Sequence, residues 1–164
     1  MSMVVYLRRA TADEVANLVA NPGAVHETIF SESADGRLVD FDKAWHALHF
    51  MLTGDAGKTE HPLSVLVATD EDLIGTDENG FGGYWQFDPV RIRAFADALA
   101  AISDDELAQR YNPAAMVTEY VYLADLFEEE GEEALSYVMQ GVPALRRFAD
   151  EAVRDNNYVL GILS

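Results

Sequence analysis

Asp42, His46 and His49 stand at spacings of four and three, which on a continuous helix puts one carboxylate and two imidazoles on a common strip. Two chemistries suit such a strip. It could hold a divalent metal, or the Asp42 carboxylate could orient an imidazole as a general base. The histidines are three apart, however, and lack the His-Glu-x-x-His arrangement that joins two ligands to a base. The competing reading makes His49 a core histidine bonded to a backbone carbonyl, with His46 facing solvent. It takes precedence, because buried polar groups are normally hydrogen-bonded for structural reasons alone. His61, held extended by Pro62, becomes a third ligand if its loop folds back onto the helix, and is otherwise a surface residue. Trp45, Tyr84 and Trp85 are the aromatic residues expected to wall such a site. The candidate strip is thus Asp42, Trp45, His46, His49, His61, Tyr84 and Trp85, with no catalytic residue and no metal assigned.

The helix that must carry these groups runs through residues 40–54. Asp40 or Asp42 is the expected cap, and Gly54 the left-handed stop. Phe41, Trp45, Leu48 and Leu52 share one stripe at 100° per residue, with Ala44 and Met51 on its shoulder. Phe50 points the other way, so the helix is expected to be covered on more than one side.

Around it the elements follow in order. Met3 to Arg8 reads as a buried strand. Thr11 and Glu14 form a capping box, and Asn21-Pro22-Gly23 ends the helix they start. A short helix over 25–32 and a turn at Ser33–Gly36 follow. Leu63 to Ala68 fits a strand and a helical turn equally. Gly80-Phe81-Gly82-Gly83 lacks a phosphate-binding fingerprint, and its glycines let the backbone pass close to another element before a strand at Tyr84–Phe87. Residues 70–81 fail as a calcium loop, because Ile74 and Phe81 stand where oxygen ligands are needed. Asp88-Pro89, Ser103 with Glu106, and Asn112-Pro113 each start a helix. Apolar phase then persists from Glu132 to Asp155 across Pro143, which predicts one kinked helix with Arg146–Asp150 and Arg147–Glu151 pairs outside. Glu128 to Glu133 is expected at its mouth, where carboxylates oppose the positive dipole end. Tyr158 to Leu163 closes the chain as a strand paired with the first.

These parts give an α+β fold: a small mixed sheet with its N- and C-terminal strands paired, packed by several helices as a single compact domain. A chain of 164 residues is long enough to bury about 70% of its unfolded surface. Charge is the abnormal quantity. Eleven basic against 29 acidic residues give −18, and residues 1–82 (five and 14) and 83–164 (six and 15) carry −9 each. The acidity therefore belongs to the fold and is not an appended tail. Such a field repels phosphate backbones and anionic lipid, so nucleic-acid and membrane partners are disfavoured and a protein with a basic surface is favoured. A uniform acidic surface that only maintains dispersal is the competing account. The absence of cysteine removes disulfides, thiolate metal sites and cysteine nucleophiles. No serine stands in a Gly-x-Ser-x-Gly context, and no cofactor is implied. Basic residues follow the first apolar run, the reverse of a signal peptide, so a cytoplasmic location is expected.

Several stretches resemble the YfbM-like bacterial proteins, a family of unknown function. They are Met1-Ser2-Met3 leading to Tyr6, Lys43-Ala44-Trp45, Leu48-His49-Phe50, Leu52-Thr53-Gly54, Pro62-Leu63-Ser64, the glycine stretch, Asp88-Pro89, and the last helix and strand. The resemblance implies a compact α+β domain with helices on a small sheet, from a bacterial cytoplasm, and it implies no reaction. Glu128 to Glu130 and Gly141-Val142-Pro143 depart from the family pattern. The functional expectation is accordingly a binding module of the inhibitor or immunity type that engages a basic protein. The alternative is a small-molecule or metal-binding enzyme, hydrolytic in character, built on the Asp42–His46–His49 strip.

Overall fold

A computed structural model describes residues 2–31, 36–74 and 84–164. Its centre is a five-stranded sheet in the order β2-β1-β5-β4-β3, formed by β1 (Val5–Ala10), β2 (Leu38–Asp40), β3 (Leu73–Ile74), β4 (Tyr84–Phe87) and β5 (Tyr158–Leu163). The terminal strands pair as expected, in register from Val5 opposite Leu163 to Ala10 opposite Tyr158. Every ladder among the described residues is antiparallel, where a mixed sheet was expected. The connections from β1 to β2 and from β4 to β5 both run through helices, yet each returns its strand antiparallel to its neighbour.

Alternation along the strands sends two sets of side chains to opposite faces. On one face Val5, Leu7, Trp85, Phe87 and Val159 join the large core that includes Trp45 and Leu48. On the other, Ala10, Ile74, Leu160 and Ile162 meet Val15 and Leu18 of α1 (Ala12–Ala20) and Val25 and Ile29 of α2 (Val25–Phe30).

Local chemistry starts four of the helices where expected. Both halves of the Thr11–Glu14 capping box are made. Asp88 accepts from the Arg91 N–H at the head of α4 (Pro89–Ala100), Ser103 from Glu106 at α5 (Asp104–Ala108), and Asn112 from Ala115 at α6 (Pro113–Thr118). The central element departs from its expected form. Residues Asp42–Ala44 make a 3-10 turn, and α3 runs only from Trp45 to Thr53, closed by Gly54 at φ 78°. Neither Asp40 nor Asp42 caps it with a side chain. Asp40 Oδ1 instead accepts from the Asp42 N–H, and Asp42 adopts φ 46°.

The expected kinked helix over 132–155 is two helices, α8 (Glu132–Met139) and α9 (Val142–Arg154). Pro143 lies in the first turn of α9, where a missing N–H costs nothing. The break also lets the Phe41 ring pack onto Gly141, where a Cβ would stand 3.0 Å from Cδ1. Glu128 to Glu130 end a separate helix, α7 (Ala124–Glu130), instead of standing at the mouth of the last one, and Gly141 marks a break absent from the apolar pattern. Arg146 does not pair with Asp150. It bonds Asp104 and the Leu99 and Ile102 carbonyls, joining α9 to the end of α4. Likewise Glu151 pairs with Arg9. Leu63 to Ala68 is neither strand nor helix, though Leu63, Val65 and Leu66 are buried. The Gly80–Gly83 stretch and residues 33–35 of the expected turn lie outside the described residues. No helix of the described residues is long and apolar enough to cross a membrane.

Candidate functional site

Since α3 begins at Trp45, Asp42 is out of phase with the histidines and turns elsewhere. Its Oδ2 accepts a 2.6 Å bond from the Tyr137 hydroxyl, whose oxygen in turn accepts from the Lys43 N–H. Burial, then the hydrogen bond to Asp42, push the Tyr137 hydroxyl up to about 12. This unit fixes α8 against the start of α3.

His46 is bonded at both ring nitrogens. Nε2–H donates to the Ala56 carbonyl at 2.8 Å, and Nδ1 accepts from the Tyr122 N–H at 2.9 Å. That pairing requires the neutral Nε2–H tautomer. Burial lowers its pKa, and the Ala56 bond offsets part of that. The ring stacks on Trp45 with centroids 4.7 Å apart, half-buried where solvent exposure was expected. His49 is 0% exposed, and its Nε2–H donates to the Gly57 carbonyl at 2.7 Å. Burial, opposed by the Gly57 bond, lowers its pKa to about 4. Both imidazoles therefore pin the 55–57 turn to α3, which is the core-histidine reading applied twice. A general base needs a lone pair that a substrate can reach. The lone pair of His46 is taken, and the unbonded Nδ1 of His49 is buried.

His61 does not fold back onto α3. It is exposed, and its Nδ1 accepts from the Leu63 N–H within its own turn. Tyr84 belongs to the opposite face of the sheet, packed with Ile74, Leu160 and Ile162, so it cannot share walls with Trp85. Among the described residues, no three His, Asp or Glu side chains gather closely enough to hold a metal ion.

Of the expected set, the fold brings together Trp45 and Trp85. With Val5, Leu66, Val67, Ala68 and Leu163 they line a cavity of about 80 Å³ at the Val5–Leu163 end of the sheet. Trp45 Nε1 donates to the Met3 carbonyl at 3.1 Å. Trp85 lies flat over Gly161, its cross-strand partner, where a Cβ would stand 2.2 Å from the indole. Only glycine permits that approach. Two features escaped sequence reasoning: Tyr122 and Tyr137 as partners of the strip, 76 and 95 residues away from His46 and Asp42, and the contribution of residues 66–68. Neither leaves a local pattern.

The acidic residues form a contrasting surface. Asp125, Glu128, Glu129, Glu130, Glu132 and Glu133 are all exposed, and no ion pair among the described residues involves any of them. In the same stretch Tyr120 is 90% exposed at φ 57°, and Leu126 is 44% exposed.

Comparison with known proteins agrees with the fold. Protein YfbM of Escherichia coli (strain K12) is 24% identical over 169 residues, covering 99% of each chain. The crystal structure of YfbM, described as a protein of unknown function, superposes with a TM-score of 0.73 at 22% identity, covering 98% of this chain and 99% of that one. The family model for a domain of unknown function, DUF1877, matches residues 1–162. The chain belongs to the DUF1877 family.

Proposed function

We propose that the chain acts as a single-domain cytoplasmic binding module, and that the corner formed by residues 119–133 docks a protein with a basic surface. The observation that carries this reading is the set of six exposed carboxylates between Asp125 and Glu133, which have no cationic partner among the described residues. Self-repulsion within such a cluster is relieved when a basic surface covers it. Tyr120 and Leu126 supply what charge alone does not, an apolar anchor inside an acidic rim. Further support comes from the core, where the histidines brace backbone.

The test compares the intact chain with a variant carrying Tyr120→Ala, Glu128→Gln, Glu129→Gln and Glu130→Gln. Both are immobilised and exposed to bacterial lysate in dilute salt. The expected result is a basic protein retained by the intact chain, released at roughly 0.5 M salt, where the screening length falls to about 4 Å, and lost by the variant. Equal retention by both chains, or retention indifferent to salt, overturns the reading.

A further inference from the structure

We propose that His46 is a proton switch on the 119–133 corner: protonated at Nδ1, it loses the Tyr122 N–H, and the turn that presents Tyr120 is released from α3. The weakening of docking that follows rests on the reading above, whereas the switch itself can be followed without a partner. The Tyr122 N–H donates to His46 Nδ1 at 2.9 Å and has no other partner among the described residues. An imidazolium carries N–H at both nitrogens and offers no lone pair. Two donors would then face each other across 2.9 Å, so the proton and the bond exclude one another. Opening is one-sided. Nε2–H donates to the Ala56 carbonyl in either form, and Trp45, its ring stacked 4.7 Å away, favours a cation over its face. His46 is thus held to α3 and the 55–57 turn, and Tyr122 is the partner that leaves.

Strain in the turn favours that departure. Tyr120 and Leu123 stand on either side of Tyr122, both left-handed at φ 57° and 64°, a conformation unfavourable for residues with a Cβ. What then remains on Tyr122 is a long 3.3 Å bond from the Met3 N–H to its hydroxyl and a ring contact with Trp45 at 6.2 Å. Leu123 also opens α7 without a side-chain cap. Because α7 carries Leu126 and the carboxylates of Asp125 and Glu128–Glu130, movement of the turn displaces anchor and rim together. The ionisable neighbours leave the proton to His46. Along its own element these are Lys43, which is exposed, and His49, held neutral down to about 4 by burial. In the turn after α3, Asp55 accepts from the Gly57 N–H and Lys58 pairs with Asp72. Glu119, in the Tyr122 turn, is exposed. None of them bonds the imidazole. Burial keeps the His46 pKa below its ordinary 6.5, so the closed turn resists the proton, and by linkage the proton disfavours the closed turn. Above 6.5 the link is whole, and it is lost as pH falls through the folded value.

The experiment follows the whole chain by NMR from about pH 7.5 to about 5, reading the His46 ring and the amides of Tyr122, Phe95 and Leu160. Phe95 and Leu160 report the cores on the two faces of the sheet. The Tyr122 amide shift should titrate with the His46 ring, and its exchange protection, corrected for the intrinsic rate, should fall roughly tenfold while Phe95 and Leu160 keep theirs. In His46→Asn the amide oxygen stands where Nδ1 stood, accepts from the Tyr122 N–H and takes no proton, so the Tyr122 amide should be indifferent to pH. Retention of the basic protein should weaken over the same range in the intact chain and not in that variant. A Tyr122 amide that keeps its shift and protection while His46 titrates overturns the proposal. So does one lost together with Phe95 and Leu160, since that is unfolding of the whole domain, or one that follows pH unchanged in His46→Asn. Should that variant fail to fold, the intact chain decides alone, by whether the His46 and Tyr122 titrations coincide. If Tyr122 follows His46 but no basic protein is retained at any pH, the switch stands and the docking reading falls.

Discussion

The two faces of the sheet are held by different physics. Towards α3 the covering is large and apolar, and its rings are tied to backbone, His46 to Ala56 and Tyr122, His49 to Gly57 and Trp45 to Met3, with Arg9 at its edge paired to Glu151 and Asp155 of the last helix and the turn after it. Towards α1 and α2 the apolar cover is small, and Arg8, 0% exposed, lies among it with its guanidinium 2.8 Å from Glu14. The other Glu14 oxygen takes Arg37 and the Thr11 N–H. Burial works to raise the Glu14 pKa, but the bonds from Thr11 and Arg8 and the Arg8 charge outweigh it and hold the carboxyl below its ordinary value. A thin cover leaves little apolar area to stabilise two short helices, so one carboxylate organises the strand, the helix cap and the 36–40 segment together. The thick face can lose a polar group and keep its packing, whereas the thin face cannot lose Glu14.

Glu14→Ala is therefore expected to have the largest effect, about 4 kcal/mol of unfolding free energy, since it takes a carboxylate from a buried guanidinium and removes half of a capping box. Urea denaturation measures it. A loss below about 1 kcal/mol would mean that the apolar cover alone holds that face.

Acidification should separate the faces by pH. Burial, opposed by the Gly57 bond, holds the His49 imidazole near 4, below its ordinary 6.5. Above 6.5 folded and unfolded chains are both neutral at this residue, and its effect on stability is nil. Between about 6.5 and about 4 the unfolded chain takes a proton that the folded chain refuses, costing about 3 kcal/mol in all at 1.4 per unit. His46 is lowered too and acts in the same direction. Glu14 is depressed below a carboxyl's ordinary value of 4.5, so its contribution is full above that value and is lost as pH falls through the folded value. The thick face should thus weaken first and the thin face afterwards. Urea midpoints from pH 8 to 4 should show the first decline in the intact chain, and a shallower one in His49→Leu, which has no imidazole to titrate. An unchanged slope in that variant would place the titration elsewhere.

Within the thick face, Gly161→Ala tests how tightly volume is used. The new methyl would stand 2.2 Å from the Trp85 indole, so the ring must leave its place over β5. A loss of about 2–3 kcal/mol in urea is expected, with a change in Trp fluorescence that Glu14→Ala does not produce. A cost near zero would mean that the ring has room to spare.

Sequence reasoning reached furthest where the cause is local. Thr11 with Glu14, Asp88, Ser103, Asn112 and Gly54 each act within four residues, and each does what its type and position suggest. The apolar stripe Phe41, Trp45, Leu48 and Leu52 is buried throughout, and β1 and β5 pair as their composition suggested. Long-range causes stayed hidden. The register of Asp42 with His46 and His49 assumed helical φ at Asp42, which instead takes 46° to meet Tyr137 on α8. Unbroken apolar phase from 132 to 155 concealed the break at Gly141, which makes room for the Phe41 ring. β2 and β3, of three and two residues, are too short to carry a period. Tyr84 facing away from Trp85 is by contrast local, since alternation along the strand expected at Tyr84–Phe87 turns these neighbours to opposite faces.

The smallest expected effect sharpens the contrast between faces. Tyr137→Phe removes the hydroxyl that donates to Asp42 and accepts from the Lys43 N–H, at the exposed rim of the thick face. Unlike the guanidinium of Arg8, both groups left behind can turn to water, so no buried charge loses a carboxylate. The loss should be about 1 kcal/mol, a quarter of that for Glu14→Ala, although both changes sever a bond to a carboxylate. The ring itself stays, so its packing against Phe127 is kept. Urea denaturation of the two variants side by side measures the ratio. Equal losses would mean that burial of the partner is not what separates the two faces, and that any carboxylate bond between elements of this fold weighs the same.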